Sequence, residues 1–194
     1  VLARLEHPHA VRVYDFVQGP QPFIVMELVE GQTLEERLRT SGPLPFEEVR
    51  VIAGQVLDVL AEASARGIVH RDLKPANLML DAARPAPFIR VLDFGIASLR
   101  EPVGPRLTGE GQAPGTAAYM APEQINGEPL DSRCDLYALA CVLFELLSGR
   151  PPFALPSAAD TLAAHLFREV PELEAVSDAR VPPAWEAVLR RALA

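Results

Sequence analysis

The sequence predicts an α+β protein, with strands gathered at its beginning and a mainly helical remainder. Three observations carry that expectation. Two runs rich in β-branched and aromatic residues, 11–17 and 23–29, are separated by Gly19-Pro20-Gln21-Pro22, a turn composition. The stretch 46–65 repeats its apolar residues at intervals of three and four. A later stretch, 131–148, is apolar nearly all round, as befits a buried helix. With 194 residues at 49% hydrophobic composition, the chain can bury about 70% of the surface it exposes when unfolded.

The elements follow in order. Val11–Val17 and Phe23–Val29 are expected to pair as antiparallel strands. In the helix 46–65, Val49, Ile52, Ala53, Val56, Leu57 and Leu60 recur at helical spacing, and Gly67 supplies the stop. Leu78–Leu80 and Ile89–Leu92, joined by a Pro-containing connection, predict a small hairpin. A Gly- and Pro-rich loop runs from about residue 100 to 115. The buried helix 131–148 ends at Gly149, with Pro151 and Pro152 beyond it. Helical patterns at 158–167 and 184–194 complete the chain, and no internal repeat is visible.

Composition removes several classes of function. A net charge of -8 leaves no basic footprint for nucleic acid or anionic lipid. The longest apolar run, Leu136–Leu147, is interrupted by Glu145 and is shorter than the roughly 18 residues of a membrane span. Cys134 and Cys141 lie seven apart on one predicted helix, a rise of about 10 Å that no disulfide bridges. They read as reduced thiols, which suits a cytoplasmic setting and leaves room for a parent protein anchored to a membrane elsewhere. Val1-Leu2-Ala3-Arg4 carries neither an initiator Met nor a signal peptide, so the chain is expected to be the interior of a longer protein. Of its 18 basic residues, Lys74 alone is a lysine. A position exempt from so strong an arginine bias wants a compact ammonium, not a planar fork.

Lys74 stands inside the run that carries the most chemistry. His70-Arg71-Asp72-Leu73-Lys74-Pro75-Ala76-Asn77 places a carboxylate, an ammonium and an amide at spacings of two and five, between a helix and a strand. Asp93-Phe94-Gly95 follows the next apolar strand. Taken alone, that triplet is an ordinary turn. Together, Asp72, Asn77 and Asp93 offer the hard oxygens that magnesium prefers, at two neighbouring strand ends.

These motifs are followed in order by Gly115-Thr116, by Ala121-Pro122-Glu123 and by Asp135 opening the buried helix. So arranged, they resemble the catalytic lobe of eukaryotic-like serine/threonine protein kinases, the bacterial members most of all. The resemblance implies a protein-kinase-like fold. Residues 1–28 would be a remnant of the β-rich N-terminal lobe, comprising a helix end and two strands; residues 29–194 would be the mainly helical C-terminal lobe, truncated at its end. It implies ATP and Mg²⁺ as cofactors and a protein bearing Ser or Thr as substrate. Asp72 would orient or deprotonate the substrate hydroxyl, Lys74 would contact the γ-phosphate, and Asn77 and Asp93 would hold magnesium. His70 and Phe94 would pack in a hydrophobic spine with Leu2 above them. Met26, the backbone of Glu27 and Val29, and Met79 would surround adenine. Lys74 and Thr116 resemble the Ser/Thr-specific pattern, with Thr116 in the peptide platform. Asp135 would accept hydrogen bonds from the catalytic-loop backbone. Cys134 and Ala140 stand where Ser and Gly are more usual.

The same resemblance predicts what should precede Val1: a glycine-rich phosphate loop, a strand lysine and its partner glutamate. It also predicts an arginine partner for Glu123 beyond Ala194, which would leave a buried charge unpaired here. For regulation, Thr108 is the candidate phosphosite, Arg71 its receiver and Glu110 a permanent part of the charge, unless these are simply solvated loop residues. Two alternatives stay open at this point: a pseudokinase or scaffold binding module, and a small-molecule phosphotransferase of related fold.

Overall fold

The computed structural model describes residues 5–19, 21–94, 116–173 and 180–194. Strand β1 (Val13–Val17) pairs antiparallel with β2 (Phe23–Met26), Val17 opposite Phe23 and Val13 opposite Met26. Both strands are shorter than predicted. A register shift between Val13 and Asp15 marks an irregularity in the ladder, and beyond Met26 one further bond, from Glu27 N to Arg12 O (2.9 Å), closes the pairing.

Two elements were not anticipated. Strand β3 (Gly31–Thr33) is the edge of a three-stranded antiparallel sheet, ordered β3-β4-β5, with β4 (Leu78–Asp81) and β5 (Ile89–Val91) forming the predicted hairpin. Gly31 is obligatory there: at φ +151° its backbone lies so close to β4 that a Cβ would stand 1.9 Å from the Leu80 carbonyl oxygen. Helix α1 (Leu34–Ser41) begins with a reciprocal cap. Thr33 Oγ1 accepts from Glu36 N (3.1 Å), and Glu36 Oε2 accepts from Thr33 N (2.8 Å). The Thr-x-x-Glu spacing of that cap is present in the sequence.

Helix α2 (Phe46–Ala65) has the predicted bounds. Its buried stripe is Val49, Ile52, Ala53, Val56, Val59, Leu60 and Ala63. Leu57 instead faces outward at 45% exposure, one step off the three-and-four rhythm that Val59 and Ala63 continue. Helix α3 (Pro122–Asn126) starts with proline, which needs no amide partner there. Helix α4 (Arg133–Ser148) is buried nearly all round and ends at Gly149 in the left-handed conformation, φ +81°. Cys134 and Cys141 are buried within it as free thiols. Helices α5 (Ala158–Phe167) and α6 (Pro183–Ala192) follow.

Helix α4 is the central post, with α2 and α6 packed against it. Ile52, Val56, Leu146 and Leu147 are fully buried in the shared core, each worth about 2 kcal/mol of transfer free energy. Trp185 on α6 meets Phe46 edge-on at 5.2 Å between ring centroids. Among the described residues, no helix is long and apolar enough to cross a membrane.

Candidate active site

The hairpin β4–β5 assembles the site. Helix α2 stops at Gly67, in the left-handed region at φ +69°, and the chain then crosses residues 68–74 to a 3-10 turn, Pro75–Asn77, that opens β4. Strand β5 runs antiparallel and delivers Leu92-Asp93-Phe94 beside that turn, where Leu92 N donates to Asn77 O (2.9 Å). Two motifs sixteen residues or more apart in sequence thereby become neighbours.

Asp135, at the first turn of α4 and almost completely buried, fastens the loop from below. Its Oδ2 accepts from His70 N (2.7 Å) and its Oδ1 from Arg71 N (2.8 Å). Burial pushes this carboxyl above its ordinary value, and the two amides pull the other way. His70 is the second fastener. Its Nδ1 accepts from Asp72 N (3.3 Å), which assigns the ring proton to Nε2 and lets Nε2 donate to Leu92 O (2.7 Å). The same ring stands edge-on to Phe94, 4.9 Å between centroids. Arg71 and Asp93 both sit at positive φ, +66° and +67°, a conformation that side-chain-bearing residues keep only where their surroundings over-determine it.

Above this base, Lys74 Nζ donates to Asp72 Oδ1 (3.2 Å), Asp72 Oδ2 (3.1 Å) and Thr116 Oγ1 (3.2 Å). Asn77 Nδ2 donates to Asp72 O (2.7 Å), with Asp72 Oδ2 at 3.4 Å. With its nitrogen so engaged, the amide oxygen is the end of Asn77 available to a cation. Asn77 Oδ1 and the Asp93 carboxylate are hard oxygens of the kind magnesium takes, an ion that commonly binds one or two protein oxygens and completes its shell with water and phosphate. Among the described residues no cluster of three or more His, Cys, Asp or Glu forms a dedicated metal cage.

Thr116 opens a second 3-10 turn, Thr116–Tyr119. Tyr119 anchors it by donating to Glu145 Oε2 (2.5 Å) on α4; burial raises both the Glu145 carboxyl and the Tyr119 hydroxyl. Beneath the turn lies His165 of α5, whose Nδ1 is 2.6 Å from the Tyr137 hydroxyl. Burial holds this imidazole down at about 4, opposed by contact with the backbone of Ala117 and Ala118. Burial and the adjacent Asp135 push the Cys134 thiol up, which disfavours its thiolate.

Of the residues expected to surround adenine, Met26 is 38% exposed at the end of β2, and Val29 and Met79 are half-buried. The Glu27 carboxylate pairs with the buried guanidinium of Arg90, which lies opposite Met79 in the β4–β5 register. This pair, which sequence reasoning missed, ties the β1–β2 hairpin to the three-stranded sheet. Gln124 was also missed: its Oε1 accepts from Ala121 N (3.1 Å) and its Nε2 donates to Arg71 O (2.9 Å). Glu123 departs from expectation, being half-buried and not fully buried, because it lies at the start of the short α3 with solvent on one side. Leu2, Gly95, Thr108, Glu110 and Gly115 lie outside the described residues, and with them the pairing expected between Thr108 and Arg71.

The model of the protein kinase domain family matches residues 1–190. Serine/threonine-protein kinase pkn3 of Myxococcus xanthus is 43% identical over 197 residues, covering 98% of this chain and 36% of the relative. Serine/threonine-protein kinase PkaA of Streptomyces coelicolor is 41% identical over 191 residues, covering 98% of this chain and 34% of the relative. PknB of Mycolicibacterium smegmatis is 40% identical over 198 residues, covering 99% and 31% respectively. The chain thus spans about a third of the length of these curated relatives.

Proposed function

The chain belongs to the protein kinase domain family, in its bacterial eukaryotic-like serine/threonine branch, and on that premise we propose that its parent protein transfers the γ-phosphate of ATP to Ser and Thr hydroxyls of protein substrates. The observation that carries this reading is the convergence of Lys74 Nζ on both Asp72 oxygens and on Thr116 Oγ1. A substrate hydroxyl held by Thr116 would lie against Asp72, which orients it and accepts its proton. Lys74 offsets the charge that builds on the transferring group, at a position already fixed before reaction. Asn77 and Asp93 would hold magnesium, which, when bound, neutralises phosphate charge. Met26, Glu27, Val29 and Met79 are assigned to adenine. Phosphate on Thr108 would be received by Arg71, and the reduced thiols fit work in the cytoplasm.

The intact set Asp72, Lys74, Asn77 and Asp93 weighs against a scaffold without catalysis. These residues make up half of a nucleotide site: the chain's one lysine is Lys74, so the family's strand lysine is not among its 194 residues. We therefore assign activity to a longer kinase domain and negligible turnover to this segment alone, since positioning supplies most of the rate in phosphoryl transfer. The test is phosphate incorporation from labelled ATP into a Ser/Thr substrate protein. The parent protein should be active and its Asp72→Asn variant inactive. Near-normal turnover in that variant overturns the site assignment; robust turnover by the 194-residue segment overturns the assignment of half a site.

A further inference from the structure

The residue just before Asp72 is held in an unfavourable conformation, and its restraints can be counted. Arg71 stands at φ +66°, a strained setting for a side-chain-bearing residue that persists only if its flanking peptides are pinned. Asp135 takes the amide of Arg71 and that of His70. His70 Nδ1 takes the amide of Asp72. These restraints all act on N–H groups. The carbonyl of Arg71, at the opposite side of the Arg71–Asp72 peptide, is held from a different element altogether: Gln124 Nε2 of α3 donates to it at 2.9 Å.

From this geometry we infer that Gln124 is a positioning residue for phosphoryl transfer, fixing through the Arg71 carbonyl the peptide plane from which the Asp72 carboxylate projects. The inference rests on the kinase reading of Asp72. Gln124 is suited to the task because its amide works at both ends. Its oxygen caps α3 at Ala121 N (3.1 Å), so the side chain has little freedom left, and its nitrogen is the donor that reaches the loop 53 residues earlier. Were the Arg71–Asp72 peptide to rotate, both the Asp72 N–H to His70 and the Asp72 carboxylate against Lys74 would move. Two residues separate helix α3 from the Thr116–Tyr119 turn, so this amide, with the Lys74 bridge from Asp72 to Thr116, also helps hold the substrate platform to the catalytic loop.

Two substitutions separate the positioning role from the cap. Gln124→Glu keeps an oxygen for Ala121 N and replaces the donor with an acceptor; Gln124→Met keeps the length and removes both. Steady-state kinetics of the parent kinase should show kcat lowered about tenfold or more in both variants, since sub-ångström misplacement at a reacting centre is that costly. KM for ATP and for substrate should stay within about twofold, the ground-state contacts being elsewhere. Asp72→Asn is assayed alongside. A wild-type kcat in Gln124→Glu with loss only in Gln124→Met would reduce the residue to a helix cap and overturn the inference. So would unchanged kcat in both, a change confined to KM, or a loss that merely follows a fall in melting temperature. Activity surviving in Asp72→Asn would be a different failure, that of the kinase site itself.

Discussion

Three oxygens converge on the Lys74 ammonium, two from Asp72 and one from Thr116, all within 3.1–3.2 Å. An ammonium turns its three protons to meet them from a single point; a guanidinium spreads its donors over a plane and stands further out. Lys74→Arg in the parent kinase should therefore lower kcat by about tenfold or more and leave the thermal unfolding of the domain nearly unchanged, because the side chain is partly exposed and the core lies below it. Turnover equal to wild type would show that charge alone is needed at this position. Much of this was legible beforehand. A lone lysine among 18 basic residues marked position 74, and the fixed spacings of Asp72, Asn77 and Asp93 marked the rest, because strands as short as β4 and β5 leave no slack in where their ends meet. Gln124 was not legible in the same way. Its cap to Ala121 is a local pattern, but its bond to Arg71 exists only once α3 and the catalytic loop have been folded together.

At the scale of elements, the sequence marks periodic segments well and short, irregular ones poorly. Helix α2 has the bounds its apolar rhythm predicts, and α4 starts two residues later than expected. Strand β3 escaped notice because Gly31-Gln32-Thr33 has no alternation and no β-branched run; it is a strand because β4 offers it an edge. Helix α1 could have been found from the Thr33-to-Glu36 cap, a signal overlooked for want of a strong apolar stripe behind it. The close approach at Gly31 gives this edge a sharp test. A methyl group there would lie 1.9 Å from Leu80 O, and the obstacle is backbone, so β3 must separate from β4 and carry the start of α1 with it. Gly31→Ala should cost about 2 kcal/mol or more, read as a lowered urea midpoint with an unchanged slope. A midpoint equal to wild type would mean that the sheet edge is not held at this residue.

For the whole molecule, the response of stability to pH turns on buried groups of opposite sign. His165 is kept neutral by burial, its imidazole held at about 4 against an ordinary value of 6.5. Between those values the unfolded chain binds a proton that the folded chain refuses, so stability rises with pH across this window. Read downward, the contribution of His165 is fully present above about pH 6.5 and is lost progressively as pH falls toward 4. Glu145 and Asp135 act the other way: burial raises both carboxyls, so the folded state holds their protons more firmly, and their penalty appears as pH rises through the ordinary carboxylate range, about 4. A single stability profile would mix these terms. The difference between wild type and His165→Gln isolates the first, since glutamine retains an acceptor for the Tyr137 hydroxyl and does not titrate. Wild type should lose about 3 kcal/mol relative to the variant between pH 7 and pH 4, measured by urea unfolding at each pH. Because His165 lies under the Thr116–Tyr119 turn through Ala117 and Ala118, the melting of that turn should follow the same curve. Parallel profiles for the two proteins would mean that His165 titrates as freely in the folded chain as in the unfolded one, and that α5 does not seal the base of the Thr116–Tyr119 turn.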